Sequence, residues 1–266
     1  MTRNLIIILL LILSVPSASA AIPLGGLDKT NPHNMSSGAD SLPGSVKAAT
    51  PALGGTDQIC IFCHTPHSAA PKSTLWSRPN PKGPSGDGTF PLYGDVSLAI
   101  KIDDTKTGYS TSNPEGYPNG ASRMCLSCHD GTTSIGVLLD RTIVMEAGSE
   151  TVTNNNILGG IVDLSSSHPI SFNYNADVVT TVLNPSKPDS YRLPDGSVDT
   201  PLDGSGRMQC TTCHDPHEDT RGDANYGNLP FWRHQGGVAS YDDVCESCHW
   251  NTVLGTPVPV TPPHVP

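Results

Sequence analysis

Aromatic residues make up only 5% of this chain. Long apolar runs are missing beyond the first twenty residues, so no later segment has the roughly 20 apolar residues needed to span a bilayer. Basic residues are also few: 15 Lys and Arg stand against 25 Asp and Glu, a formal net charge of −10. That balance argues against nucleic acid and against anionic membrane surfaces as partners. Uninterrupted stretches are scarce as well, because 26 Gly and 25 Pro punctuate the sequence. Long helices and strands are therefore not expected. What remains is a loop-rich, acidic chain with too little apolar side chain to build an ordinary core.

The first twenty residues, MTRNLIIILLLILSVPSASA, read as a signal peptide. Arg3 supplies the positive start, Leu5 to Val15 an apolar stretch of about eleven residues, and Ala18-Ser19-Ala20 a small-residue cleavage site. Residues 1–20 are expected to be cleaved, leaving an exported chain from about Ala21 with a formal charge of −11. No cysteine follows the cleavage site, so a lipid anchor is not indicated.

Eight cysteines are present, and all fall in C-x-x-C-H: CIFCH (60–64), CLSCH (125–129), CTTCH (210–214) and CESCH (245–249). On one helical turn, two thiols so spaced form thioethers with the two vinyl groups of one porphyrin. The histidine that follows lies beneath the ring as proximal ligand to iron. Zinc sites and disulfide frameworks also use paired cysteines, but neither calls for a histidine after every second cysteine. With ten His in 266 residues, chance gives that in roughly two cases per million. The expectation is four covalently bound c-type haems, attached at Cys60, Cys63, Cys125, Cys128, Cys210, Cys213, Cys245 and Cys248. The proximal ligands are then His64, His129, His214 and His249. Four rigid apolar plates, each tied to the chain, would replace the missing core.

Six histidines are left for the opposite faces: His33, His67, His168, His217, His234 and His264. Axial nitrogens on opposite faces of one ring are about 4 Å apart, given metal–imidazole bonds of roughly 2 Å. His67 follows His64 by three residues and cannot pass around the same porphyrin. As a ligand it must serve another haem lying close by. CTTCHDPH repeats the pattern, with His217 standing to His214 as His67 does to His64. Each half of the chain reads as a leading histidine (His33 or His168), then C-x-x-C-H-x-P-H, then a plain C-x-x-C-H. The distal ligands expected are therefore His33, His67, His168 and His217. His234 and His264 are left as ordinary polar residues. Met35, Met124, Met145 and Met208 could compete as ligands, but none repeats between the halves.

The fold class expected is a multihaem cytochrome c: mostly irregular coil, short helical turns at the haem sites, few short strands, and a core formed by haems. One domain over 21–266 would contain two pseudo-repeats, at about 30–135 and 165–250, and a Pro-rich tail at 256–266. The polar stretch 71–120 is expected to wrap the first haem pair, and Gly131 to stop a helix. Trp76, Phe231 and Trp232 are expected against porphyrin faces or edges. ILGGIVDL (157–164) and DVVTTVL (177–183) read as short strands.

GTDQICIFCHTPH with LWSRPNP downstream, then CLSCHDG, SHPISF, CTTCHDPH and CESCH, cover most of the chain from about 33 to 250. This ordered set resembles the tetrahaem cytochromes of metal-reducing bacteria that polymerise into extracellular filaments. The resemblance implies bis-histidine haems in a continuous chain of stacked and T-shaped pairs, with little regular secondary structure. It also implies that one distal histidine, matched here by His33, is donated to the neighbouring subunit. The function so implied is electron transfer without substrate turnover, from the cell envelope to extracellular acceptors such as metal oxides or partner cells. The chain itself, other redox cytochromes and those acceptors would be the partners. A monomeric periplasmic or surface carrier is the alternative. A multihaem reductase of nitrite or hydroxylamine would need a five-coordinate haem, against which the ligand count speaks.

Overall fold

The computed structural model describes residues 28–41, 45–65, 75–81, 83, 86, 88–91, 99–101, 103–110, 117–152, 157–158, 161–165, 167–186, 190–194, 196, 198–220, 231–233 and 241–249. The signal region, His67, His234, His264, the tail and much of 71–120 lie outside the described residues.

Short helical turns joined by irregular chain make up most of the described fold. Two 3-10 turns, Pro51–Leu53 and Cys60–Phe62, come first. The longest helix, α1 (Gly120–His129), carries the whole CLSCH motif. It ends at Asp130, and Gly131 follows at φ 76, the left-handed position where glycine closes a helix without a steric penalty. Two antiparallel strands of two residues each, β1 (Ile157–Leu158) and β2 (Ile161–Val162), form a small ladder. Further helical pieces are α2 (Ala176–Val178), α3 (Asn184–Ser186), α4 (Cys210–Cys213) and α5 (Tyr241–Glu246). No helix among the described residues is long and apolar enough to cross a membrane.

Two expectations need correction. DVVTTVL is not a strand: α2 runs through a π-type segment, Val179–Leu183, into α3. The Asn175 side chain caps the start by accepting from Val178 N at 2.9 Å. Val178, Val179 and Leu183 then share the buried side at helical spacing, so packing overrides the strand preference of β-branched residues. The second correction concerns 71–120. Its early part packs on the first half, but Ile100, Tyr109 and Tyr117 join Phe172, Tyr174, Met208 and Cys248 of the second. Tyr117 anchors the crossing by donating from Oη to Ser171 O at 2.6 Å.

Side-chain packing is divided among four small clusters. The first-half cluster holds Met35, Phe62 and Ile135, with Cys63 and Cys128 against it. Cys213 and Cys245 flank the cluster of Trp232 and Val244. Two of the four clusters thus pack against pairs of motif cysteines, and the largest includes Cys248.

The halves are joined by buried polar contacts between α1 and α4. Gln209 forms a reciprocal capping box with Thr212 at the start of α4. Its Oε1 accepts from Ser122 N at 3.2 Å, Ser122 Oγ at 2.6 Å and Ser171 Oγ at 3.2 Å. Cys210 N donates to Ser122 Oγ at 2.9 Å, which ties the third attachment motif to the helix of the second.

Candidate functional site

At three of the motifs the histidine closes back on the first cysteine. His64 N reaches Cys60 O at 2.8 Å, His214 N reaches Cys210 O at 3.0 Å, and His249 N reaches Cys245 O at 2.8 Å. His129 is the last residue of α1.

Three of these histidines face a histidine from elsewhere in the sequence. His33 and His129 have ring centroids 6.0 Å apart, His64 and His217 6.3 Å, and His168 and His249 6.1 Å. Two imidazoles bound to one iron from opposite faces have a geometry fixed by chemistry. Metal–nitrogen bonds of roughly 2 Å, plus about 1.1 Å from nitrogen to ring centre, give about 6.2 Å between centroids. All three pairs fit that spacing, and each joins one motif histidine to one outside the motifs. His33 and His168 face the histidine of the last motif of their own half, whereas His217 crosses to face that of the first motif of the other. The resemblance implied a neighbouring subunit's haem for His33; in the structure it faces His129 of its own chain.

The orientation of the outer histidines is also fixed. The Nδ1 of His33 lies 3.0 Å from Pro216 O, that of His168 2.8 Å from Pro169 O, and that of His217 3.3 Å from Asp215 Oδ1. An Nδ1–H held by an oxygen leaves Nε2 as the ligating atom, the usual outer support of a metal-bound histidine. Burial pushes His129 down to about 4, helped by His33 and His214, and burial lowers His168 too. Both shifts favour the neutral imidazole, the form a metal would need. His217 is shifted upward by its hydrogen bond to Asp215. His168 is exposed in the structure.

Behind each C-H-x-P-H motif the chain returns as a strap. Thr65 N donates to Leu75 O and Ser77 N to Cys63 O, both at 2.9 Å. In the second half Asp215 N donates to Phe231 O and Arg233 N to Cys213 O, both at 2.8 Å. Trp76 meets the His64 ring edge-on at 5.8 Å and Trp232 meets His214 at 5.2 Å. Leu75 and Phe231, each just before its tryptophan, share the left-handed backbone at φ 53 and φ 60. Phe231 stacks on His33 at 4.1 Å. These aromatics therefore brace the rings of His33, His64 and His214.

Two functional residues carried no motif to announce them. Gln209 clamps the halves, as described. Arg78, 1% exposed, donates from Nε to Ser127 O at 3.0 Å, from Nη1 to Ile135 O at 2.7 Å and from Nη2 to Ser134 O at 3.0 Å. The repeated Leu-Trp and Phe-Trp pairs behind the two C-H-x-P-H motifs were the available signal for the straps.

Burial pushes the thiols of Cys63 and Cys213 up to about 12 and raises those of Cys128 and Cys248. Cys210 is drawn down to about 7 by a hydrogen bond with the Cys125 thiol, so the second and third attachment motifs touch. No group of three or more His, Cys, Asp or Glu suited to hold a metal ion by itself occurs among the described residues. Each histidine pair would offer a porphyrin iron two imidazole nitrogens, the number such an iron leaves to a protein. No family model matches the chain, and no curated protein matches its sequence.

Proposed function

We propose that the chain is a tetrahaem c-type cytochrome that transfers electrons outside the cytoplasm and turns over no substrate. The observation that carries this reading is the set of three histidine pairs at 6.0–6.3 Å, each led by a C-x-x-C-H histidine. His67 is assigned to His214 by count and by symmetry with its twin, His217. When bound, haem supplies a one-electron couple at each site. The chain's own residues attach it through eight thiols, hold both axial imidazoles and fix their tautomers. With all four distal histidines engaged, no coordination position remains for a substrate. Apolar clusters against Cys63, Cys128, Cys213 and Cys245 would shield a bound haem from water.

The resemblance to filament subunits extends this to a homopolymer at the cell surface that delivers electrons to extracellular acceptors through other redox cytochromes. A monomeric periplasmic or surface carrier is the second reading. It is favoured by the in-chain partner of His33, because no ligand then needs to be shared. The test is expression with c-type haem maturation, followed by haem quantitation, absorption spectroscopy and native sizing. Four low-spin haems per chain are expected. Fewer than four, or a substantial high-spin fraction in the intact protein, overturns the proposal. Filaments in the electron microscope exclude the monomer.

A further inference from the structure

The Nδ1 atoms of the three outer histidines lie against oxygens of two kinds. His33 and His168 meet backbone carbonyls, Pro216 O at 3.0 Å and Pro169 O at 2.8 Å, which carry no net charge. His217 meets a carboxylate, with Asp215 Oδ1 at 3.3 Å. The contact is built into the turn. The same oxygen accepts from His217 N at 2.9 Å, and Asp215 N donates to Phe231 O at 2.8 Å, which ties the residue to the strap. The other carboxylate oxygen, Oδ2, lies 3.6 Å from Arg233 Nη1, which pairs more closely with Asp199 at 2.6 Å. Two carboxylates thus share one guanidinium, and negative charge is left in excess beside the His217 ring. Within C-H-x-P-H the twin motifs differ only here. CIFCHTPH has Thr65 in this place, whose N donates to Leu75 O as Asp215 N does to Phe231 O, and a threonine brings no charge.

Resting on the tetrahaem reading, we propose that Asp215 is a positioning residue that acts through His217 to make the haem attached at Cys60 and Cys63 harder to reduce. An imidazole whose Nδ1–H is held by a carboxylate is a more basic ligand through Nε2 than one held by a carbonyl. Ferric iron carries one more positive charge than ferrous iron, so a more basic ligand and nearby negative charge both favour the ferric state. Reduction adds one electron to the iron and breaks no bond, and the Nδ1 proton stays on the ring. The side chains are 54% exposed at His217 and 28% at Asp215, so water screens part of the effect and a moderate shift is expected. A residue of the third motif thereby biases electrons away from the first site.

The experiment is a spectroscopic reductive titration, with dithionite and redox mediators, of the haem-loaded protein and its Asp215→Asn and Asp215→Glu variants. Asparagine keeps an oxygen for both His217 nitrogens but drops the charge. In Asp215→Asn one of the four components should gain, its reduced-to-oxidised ratio at fixed ambient potential rising about threefold to tenfold, where tenfold equals about 59 mV. That component should be the one that turns high-spin when His217 is replaced, and in Asp215→Asn it should stay low-spin. Asp215→Glu retains the charge and should stay nearer the wild-type ratio than the asparagine protein does. Asp215→Ser supplies a second neutral variant if Asp215→Asn fails to mature. An unchanged ratio in a loaded neutral variant, a rise confined to a component other than the one His217 identifies, or an equal rise in Asp215→Glu overturns the inference. A wild-type protein without four low-spin haems overturns the functional reading beneath it.

Discussion

Removing His217 tests the crossing arrangement most directly. His217 lies three residues from His214, yet its ring faces His64 at 6.3 Å with the two planes 16° apart. His33 and His168 already face other rings, so neither can substitute. In His217→Ala, one of the four haem sites should become five-coordinate, converting a quarter of the ferric low-spin intensity to high-spin. The reduced variant should bind carbon monoxide at the same quarter of its irons. Electron paramagnetic resonance offers a finer check, because near-parallel imidazoles split the iron d orbitals strongly and near-perpendicular ones leave them almost degenerate. The other two described pairs cross at 66° and 88°, so the variant should lose the near-parallel signal and keep theirs. Location follows from combining it with Cys60→Ser and Cys63→Ser, which delete the first attachment site. In that background His217→Ala should add no further high-spin iron. A persisting high-spin signal there means His217 serves another haem, and the crossing is wrong.

Gln209→Ala removes the acceptor of three buried hydrogen bonds and should cost about 2–4 kcal/mol, at roughly 1 kcal/mol each. Urea unfolding checks this, and a loss well under ~1 kcal/mol would show that the halves are held by other contacts. Trp76→Phe keeps the ring against His64 but loses the Nε1–H bond to Ser127 Oγ at 3.2 Å, so about 1 kcal/mol should go without a change in spin state. The Asp215 carboxyl is held down to about 2 from 3.8, chiefly by its hydrogen bonds with His217 and by Arg233. A depressed carboxyl stabilises the fold above its unfolded value, and that contribution is lost as pH falls towards about 2. Unfolding midpoints should therefore drop between about pH 4 and pH 2 in wild type, and Asp215→Asn should flatten that slope.

The four C-x-x-C-H motifs were legible because their spacing code is local, and local codes survive without a fold. Partner assignment is different in kind. That His217 faces His64 while His33 faces His129 depends on how the halves dock, and docking is set by contacts such as Ser122 with Gln209, 87 residues apart. The strand expected at 177–183 failed because β-branched side chains report a preference that burial on a helical face can outweigh. The second-half packing of Tyr109 and Tyr117 was hidden for a similar reason, since a polar, Pro-rich stretch gives no periodicity to read. Arg78 left no trace at all: a single arginine among loops looks like surface until three carbonyls are seen around it.

On the tetrahaem reading, the crossing of His217 to His64 would also set an order of maturation. A chain exported from its N-terminus presents CIFCH long before CTTCHDPH emerges. On the tetrahaem reading, the first haem to be attached must wait, one face uncovered, for a histidine that arrives with the third. His33 is likewise steadied by Pro216 and Phe231, which arrive late, although it precedes every attachment site. Early haems would then be completed only when the second half folds back on the first. A chain truncated before His217 would leave the first iron open and reactive, so incomplete copies would be marked by the chemistry they fail to suppress.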